Sequence, residues 1–463
     1  MTGQVQRQGP DKLILFAYGL GSVASATKTA PVSAFLVIFY NQVVGMPALT
    51  VSAVLMATLI LDAVLDPVVG QVSDGWRSRM GRRLPFMYGS AVPLTLFFIA
   101  LWNPPAGLSP PALAAYLFVC LAGVRVFDTF FELPHLAIVP ELTANRQART
   151  SLYTWRYLFE ASGGILVSAL AYNVFLKENA DGTGGLLDRS GYPAFSLFCG
   201  LVIFCLILSS TQGLRRTAIA RPSHTLDAPT SLGARLKLFV ATINSPPVIL
   251  LSVIAIILSI GSGMGQSLSM YWLLYYYRFS QSEITLLFVA VTLGIVLIGL
   301  APVLSRRLGK SGAVVLCCWA YFAVSAAPLL SRYFGLLPEG SPMLLGLVML
   351  QSASGAASMT MIVIILTSMV ADLTEEAEKR TGHRSEAMLL ASISFVRKAT
   401  QGLGALGAGI ILSLVTFPIG AERGEVASGI LDQMAWLYLA GKFIAFSGAT
   451  ILVLAYRRRY EAA

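Results

Sequence analysis

Apolar residues run through this chain in blocks of about twenty or more, separated by short polar punctuation. A helix needs about 20 mostly apolar residues to cross a bilayer. Twelve stretches qualify: 13–40, 49–72, 84–103, 111–138, 152–176, 192–214, 246–276, 282–304, 311–331, 342–371, 387–417 and 433–456. The first and seventh are longer than a straight crossing, and each carries small residues at its middle. These are Gly19, Gly21, Ser22, Ser25 and Thr27 in one, and Gly261, Ser262, Gly263 and Gly265 in the other. Small residues allow close helix approach and accommodate bends, so both spans are expected to be tilted or interrupted.

The longest polar connection, Arg215–Lys237, holds Pro222, Pro229 and several basic residues, as a linker between two helical bundles would. The expected organisation is therefore a six-helix bundle over 1–214, a linker over 215–245 and a second six-helix bundle over 246–463. The loop between spans two and three and the loop between spans eight and nine take equivalent places in the two halves, a weak internal repeat. With both termini in the cytoplasm, 22 of the 33 Lys and Arg residues fall on that side. Five fall outside (Lys177, Arg189, Arg278, Arg332, Arg423) and six within spans, which fixes the expected orientation.

Composition agrees with the pattern. Only 12% of the 463 residues are charged and 56% are hydrophobic, against about 25% charged in soluble domains. The chain reads as an integral protein of a cell membrane, in contact with lipid. Residues 1–12 are polar and the first apolar run is long enough to stay in the bilayer, so no cleavable signal is expected. The net charge of +10 is spread over short loops rather than gathered in a patch, which argues against nucleic acid. Five cysteines lie in apolar runs without metal-ligand spacing to histidine, and Cys317–Cys318 reads as packing. Three histidines far apart in sequence and no nucleophile motif argue against an enzyme, and no cofactor is implied.

Charges inside the spans carry the candidate chemistry. In Leu61–Pro85, Asp62 and Asp66 are four residues apart and share one helix face. A carboxylate facing lipid costs about 2.5–3.5 kcal/mol even on lenient scales, so both must look into protein or a water-filled cavity. They either pair with buried cations and hold helices together, or mark a cation or proton site. The chain then leaves the membrane through Asp74, Arg77, Arg79, Arg82 and Arg83. Span four holds Arg125, Asp128, Thr129 and Glu132 near one face; Arg125 can neutralise Asp128, leaving Glu132 without an obvious local partner. Arg156 and Glu160 in span five are four apart and can pair with each other. Lys28 in span one, Arg397 and Lys398 in span eleven and Lys442 in span twelve complete the set, with Lys442 expected to snorkel. Acids gather in spans two and four and bases in one, five and eleven, as a transporter coupling a cation to a polar substrate requires. The stretch Asp372–Glu386 is dense in both signs and reads either as a solvated loop helix or as a lock on the cytoplasmic side.

These residues resemble a known family. The pattern D-A-x-x-D-P-x-x-G at Asp62–Gly70, running into S-R-x-G-R at Ser78–Arg82, is similar to the glycoside–pentoside–hexuronide:cation symporters, the melibiose-permease-like branch of the major facilitator superfamily. Tyr18-Gly19-Leu20-Gly21 and Val43-Val44-Gly45 bound span one as in that family. Thr129–Pro134 resembles its T-x-x-D-x-P, with Glu for Asp; Asp372, Arg384, Glu386 and Lys398 match its charged loop and span-eleven lysine. The resemblance implies a cation site at Asp62, Asp66, Thr129 and Glu132, with Asp62 and Asp66 as metal ligands if sodium is the ion. It implies substrate contacts from Arg156, Lys398, Glu132 and Lys28, and a conformational gate from Asp74, Arg82, Arg83, Asp372, Arg384 and Glu386. Two positions depart from the family: Ala26 stands where a span-one acid would contact sugar, and Leu65 where sodium-coupled members can carry an amide. The missing amide oxygen favours H+ over Na+ as the coupling ion.

The expectation is an all-α membrane protein of the major facilitator fold, with about twelve helices in two six-helix bundles. Its expected work is cation-coupled symport of a sugar, glycoside or related polar solute, as a monomer. A lysolipid or amphiphile carrier on the same scaffold, or a non-transporting sensor, are the alternatives.

Overall fold

The computed structural model describes residues 12–143, 146–178, 185–220, 246–338, 340–381 and 402–461. Among these the chain is helical, with no strand. The helices are α1 (Lys12–Ile38), α2 (Ala48–Gly75), α3 (Leu84–Leu101), α4 (Pro110–Ala137), α5 (Arg146–Leu170) and α6 (Gly191–Ala220), then α7 (Pro246–Ser267), α8 (Gln281–Gly294), α9 (Ala301–Tyr333), α10 (Pro342–Thr381), α11 (Gly402–Leu414) and α12 (Ser428–Tyr456).

Ten helices are long and apolar enough to cross a membrane, and the 53-residue run Gln281–Tyr333 counts among them as one. That run is two crossings. Gly309, at φ 73° and ψ 165°, breaks α9 in a backbone region essentially closed to residues with a Cβ. The expected loop between spans eight and nine is thus reduced to a single glycine turn between Arg306-Arg307 and Lys310. The short apolar helix α11 covers the described part of expected span eleven, so the described helices are consistent with about twelve crossings.

The chain forms two compact units, and the division does not follow the linker alone. The first comprises residues up to 33 with 64–229, the second 34–63 with the chain from 230 onward, so α1 and α2 contribute to both.

In the first unit α3 lies against α4 and α6. Gly123 of α4 faces the Phe97 ring and Gly200 of α6 faces Ile99, close approaches that a side chain would block. Thr95 Oγ1 donates to Gly200 O at 3.3 Å, Asn103 Nδ2 donates to Ser196 Oγ at 2.8 Å, and Trp102 stacks on Tyr192. At Gly21, α1 comes directly against His135 of α4 and Ser210 of α6.

In the second unit Leu251, Leu258, Val314, Ile362, Ile365 and Phe446 form the centre of the core. Cys317 and Cys318 are buried free thiols within it, consistent with a packing role. The long spans one and seven behave differently from expectation in detail. α1 runs unbroken through its small residues and loosens only at its end, in a π-turn over Phe39–Val43. α7 breaks at Leu268, beyond its glycines, and ends in a matching π-turn over Trp272–Tyr276. The two ends meet in a buried polar network. Gln42 Nε2 donates to Asn41 Oδ1 (2.6 Å) and to Pro418 O (3.2 Å), while its Oε1 accepts from Ala421 N (3.1 Å) and lies 3.4 Å from Tyr275 Oη, which donates to Ala421 O at 2.9 Å. Tyr271 Oη donates to Asn41 Oδ1 at 2.8 Å.

α10 continues to Thr381, ten residues past the expected end of span ten at 371. Glu375 precedes Lys379 and Glu376 precedes Arg380 by four residues, the order that supports a helix, and no breaker occurs before Gly382. The charged stretch therefore begins as an extension of the span.

Candidate functional site

On α2 the exposed residues Ile60, Val64, Val68 and Val72 recur every four positions and form a stripe toward lipid. Asp62 and Asp66 are two positions out of that register, about 200° around the helix, and so lie on the opposite face. Asp62 is buried and Asp66 half-buried. From α4, Thr129 Oγ1 donates to Asp66 Oδ1 across a long 3.4 Å contact.

One turn further along α4, Glu132 Oε1 accepts from Arg156 Nη2 of α5 at 2.9 Å, and Arg156 Nε lies 3.8 Å from Glu160 Oε2. Arg156 is buried, and its guanidinium is bracketed by two carboxylates. Beside it His135 is sandwiched between the rings of Tyr18 and Phe131, at 4.4 and 5.1 Å between centroids. His135 Nε2 lies 3.1 Å from Tyr18 O; a carbonyl can only accept, so this nitrogen carries the proton.

Partners also come from other helices. Lys28 of α1 forms an ion pair with Asp128, and Glu132 has a partner in Arg156, which lies nearer to it than to its own-helix neighbour Glu160. The cause is the close approach of α1 to α4 at Gly21, which brings a basic side chain from a neighbouring helix into reach. Removing one member of a buried ion pair costs about 3–5 kcal/mol. Lys28→Met is therefore expected to lower the thermal midpoint of the purified protein markedly, and adding Asp128→Asn to restore most of it. Equal losses in the single and double variants would show that the pair does not matter.

The basic turn after α2 docks on its own unit. Arg82 Nη2 and Arg83 Nη1 lie 3.1 and 2.9 Å from Glu141 Oε1, and Arg83 also donates to Ala137 O at the end of α4. Glu141 was not singled out from the sequence, although it is the one formal charge between Glu132 and Arg146. In the second unit Lys310, just past the Gly309 break, pairs with Asp372 and donates to Ser368 Oγ at 2.8 Å. The two turns thus use a similar charged tether in equivalent places. The partly exposed Lys310–Asp372 pair contributes at most about 1 kcal/mol. Lys398, Arg397, Arg384 and Glu386 lie outside the described residues, as does the side chain of Asp74.

Lys442 does not snorkel. It is fully buried, held by Ser325 and Tyr438. The reason is that the Tyr438 hydroxyl one turn away, and the Ser325 hydroxyl and Tyr321 ring face from α9, meet its head group inside the bundle.

A sequence profile for the family described as MFS/sugar transport protein matches residues 17–461. The chain belongs to that family. This transporter is 23% identical over 450 residues to the isoprimeverose transporter of Lactiplantibacillus pentosus, covering 96% of this chain and 88% of that one. An uncharacterised symporter of Synechocystis sp. is 37% identical over 155 residues, 32% of this chain and 28% of that protein. Among solved structures, the nucleoside transporter NupG (D323A mutant) superposes with a TM-score of 0.66 at 14% identity, over 97% of this chain and all of that one, a likeness of fold. The transporter is a multi-pass membrane protein of the major facilitator fold.

Proposed function

We propose that this transporter is a proton-coupled symporter of a neutral sugar, glycoside or related polar solute. It works by alternating access in a cell membrane, with both termini and the Arg215–Lys237 linker cytoplasmic. The observation that carries the reading is Asp66, turned away from the lipid stripe of α2 toward Thr129, on a unit that also holds the Glu132–Arg156–Glu160 group. The spans of α2, α4 and α5 carry five acids (Asp62, Asp66, Asp128, Glu132, Glu160) against Lys28, Arg125 and Arg156 from α1, α4 and α5. Such a surplus suits a bound proton or cation and a neutral cargo better than an anionic one. The isoprimeverose transporter, similar along nearly the whole chain, supports a sugar-like substrate. Thermal stabilisation of the purified protein by a panel of sugars, with and without sodium, tests the reading. Stabilisation by lysolipids alone would overturn it.

Proton coupling rests on what surrounds Asp66. Leu65 brings no oxygen beside it, and Glu132 is engaged with Arg156. Sodium requires a compact shell of several oxygens, whereas a proton needs one carboxylate. Uptake into vesicles is expected to follow an imposed pH gradient and to respond little to sodium, and Leu65→Asn to raise the sodium response. Strong sodium stimulation of the unmodified protein at fixed pH would rule proton coupling out.

The orientation follows the 22-to-5 distribution of basic residues. Single cysteines at Leu108 and Glu422 are expected to react with a membrane-impermeant maleimide added outside intact cells, and one at Ser78 only after permeabilisation. The reverse labelling pattern would invert the topology.

A further inference from the structure

We infer that Lys442, in the second unit, is a proton-binding site distinct from the acids of α2 and α4. Its ammonium lies in a cage without a carboxylate. Nζ donates to Ser325 Oγ at 2.7 Å and to Tyr438 Oη at 3.1 Å, and it stands 3.6 Å from the centre of the Tyr321 ring. The rings of Tyr438 and Phe446 lie farther off, at 5.4 and 5.5 Å. The three ammonium donors thus meet two hydroxyls and one π-face, and the residue is 0% exposed.

The groups behind the cage are neutral. From α7, Gly261 faces Phe446 and Gly265 faces Tyr438, with Met264 next to Gly441; from α10, Gly355 faces Tyr321. The titratable neighbours are Tyr321 and Tyr438, with Tyr277 behind Tyr438. Among the described residues no acid forms an ion pair with Lys442 and no second cation faces it. A lysine that served only to fill this space would be replaced at lower cost by methionine, since an apolar group of similar volume needs no compensation.

The choice of partners is what singles out proton binding. A carboxylate would pin the ammonium, but a hydroxyl both accepts and donates. Ser325 already donates its proton to Tyr321 O at 2.7 Å and so acts as an acceptor toward Nζ. The Tyr438 hydroxyl can turn. With Lys442 as an ammonium it accepts; when one proton passes from Nζ to water, leaving a neutral amine, the same hydroxyl donates to the new lone pair. Both protonation states are then fully satisfied without moving a helix, and no buried polar atom is orphaned in either.

The readout needs no substrate, so it is separable from the assignment of Asp66. Thermal midpoints of the purified wild type, Lys442→Met and Lys442→Gln are measured from about pH 5 to 10, the range in which buried lysines titrate. The wild type is expected to show a one-proton step in stability that both variants lack. Superimposable pH profiles for all three would overturn the site. Should the variants fail to fold, nitrogen-15-labelled lysine in the wild-type protein decides. A buried lysine signal converting to the neutral amine within this range supports the inference, and one that stays an ammonium throughout overturns it.

Discussion

Replacing Asp66 with asparagine is expected to abolish accumulation of substrate against its gradient while exchange down the gradient continues. The substitution is nearly isosteric, so Thr129 keeps a hydrogen-bond partner where Asp66 Oδ1 stands. What is lost is the group that can take up a proton or hold a cation. Coupling is a free energy shared between two bound species, and without the second species the shared term is zero. The steady-state ratio of internal to external substrate should therefore fall to about 1. Asp62→Asn, one turn away on the same face, is expected to act in the same direction and more mildly. An Asp66→Asn protein that still concentrates substrate would remove Asp66 from the coupling mechanism.

Arg156→Gln is expected to have the other large effect, and on two quantities at once. The guanidinium lies between Glu132 and Glu160, so its removal leaves two membrane carboxylates without it. Breaking a fully buried ion pair from one side costs about 3–5 kcal/mol; here Arg156 is buried but both carboxylates are partly exposed, so the cost is smaller, though still a sizeable share of the stability of an ordinary domain. Folding yield and thermal midpoint should fall together. Adding Glu132→Gln should restore much of the stability, because the carboxylate nearest to the missing guanidinium is then neutral, while transport stays lost if the pair also contacts substrate. Full transport in the double variant would reduce Arg156 to a structural tie.

What could be read from the sequence was whatever depends on spacing along one helix. The four-residue step from Asp62 to Asp66 fixes their common face, and the structure places that face opposite Ile60, Val64, Val68 and Val72. The twelve crossings were legible for the same reason, since apolar length is local. Partners across helices were not. Lys28 reaches Asp128 because α1 and α4 touch at Gly21, a fact of packing that no spacing within α4 contains. Glu141 became visible only when the turn after α2 folded back on the end of α4. Lys442 was misread because snorkelling assumes that nothing inside the bundle competes for the head group, and Ser325, Tyr438 and Tyr321 do.

At the end of α1 the Gln42 amide donates to Asn41 Oδ1 and Pro418 O and accepts from Ala421 N, so it ties α1 to the segment before α12. Because one amide holds both Pro418 and Ala421, the end of α1 cannot leave the segment before α12 bond by bond; the amide either stays or gives up both partners together. At a net 0.5–1.5 kcal/mol each, the two bonds that join the segments bias the closed arrangement by about 1–3 kcal/mol, roughly 5-fold to 150-fold. Separation of these two segments is therefore all-or-none and disfavoured. A single methylene less at this position, as in Gln42→Asn, should turn it into rapid flicker.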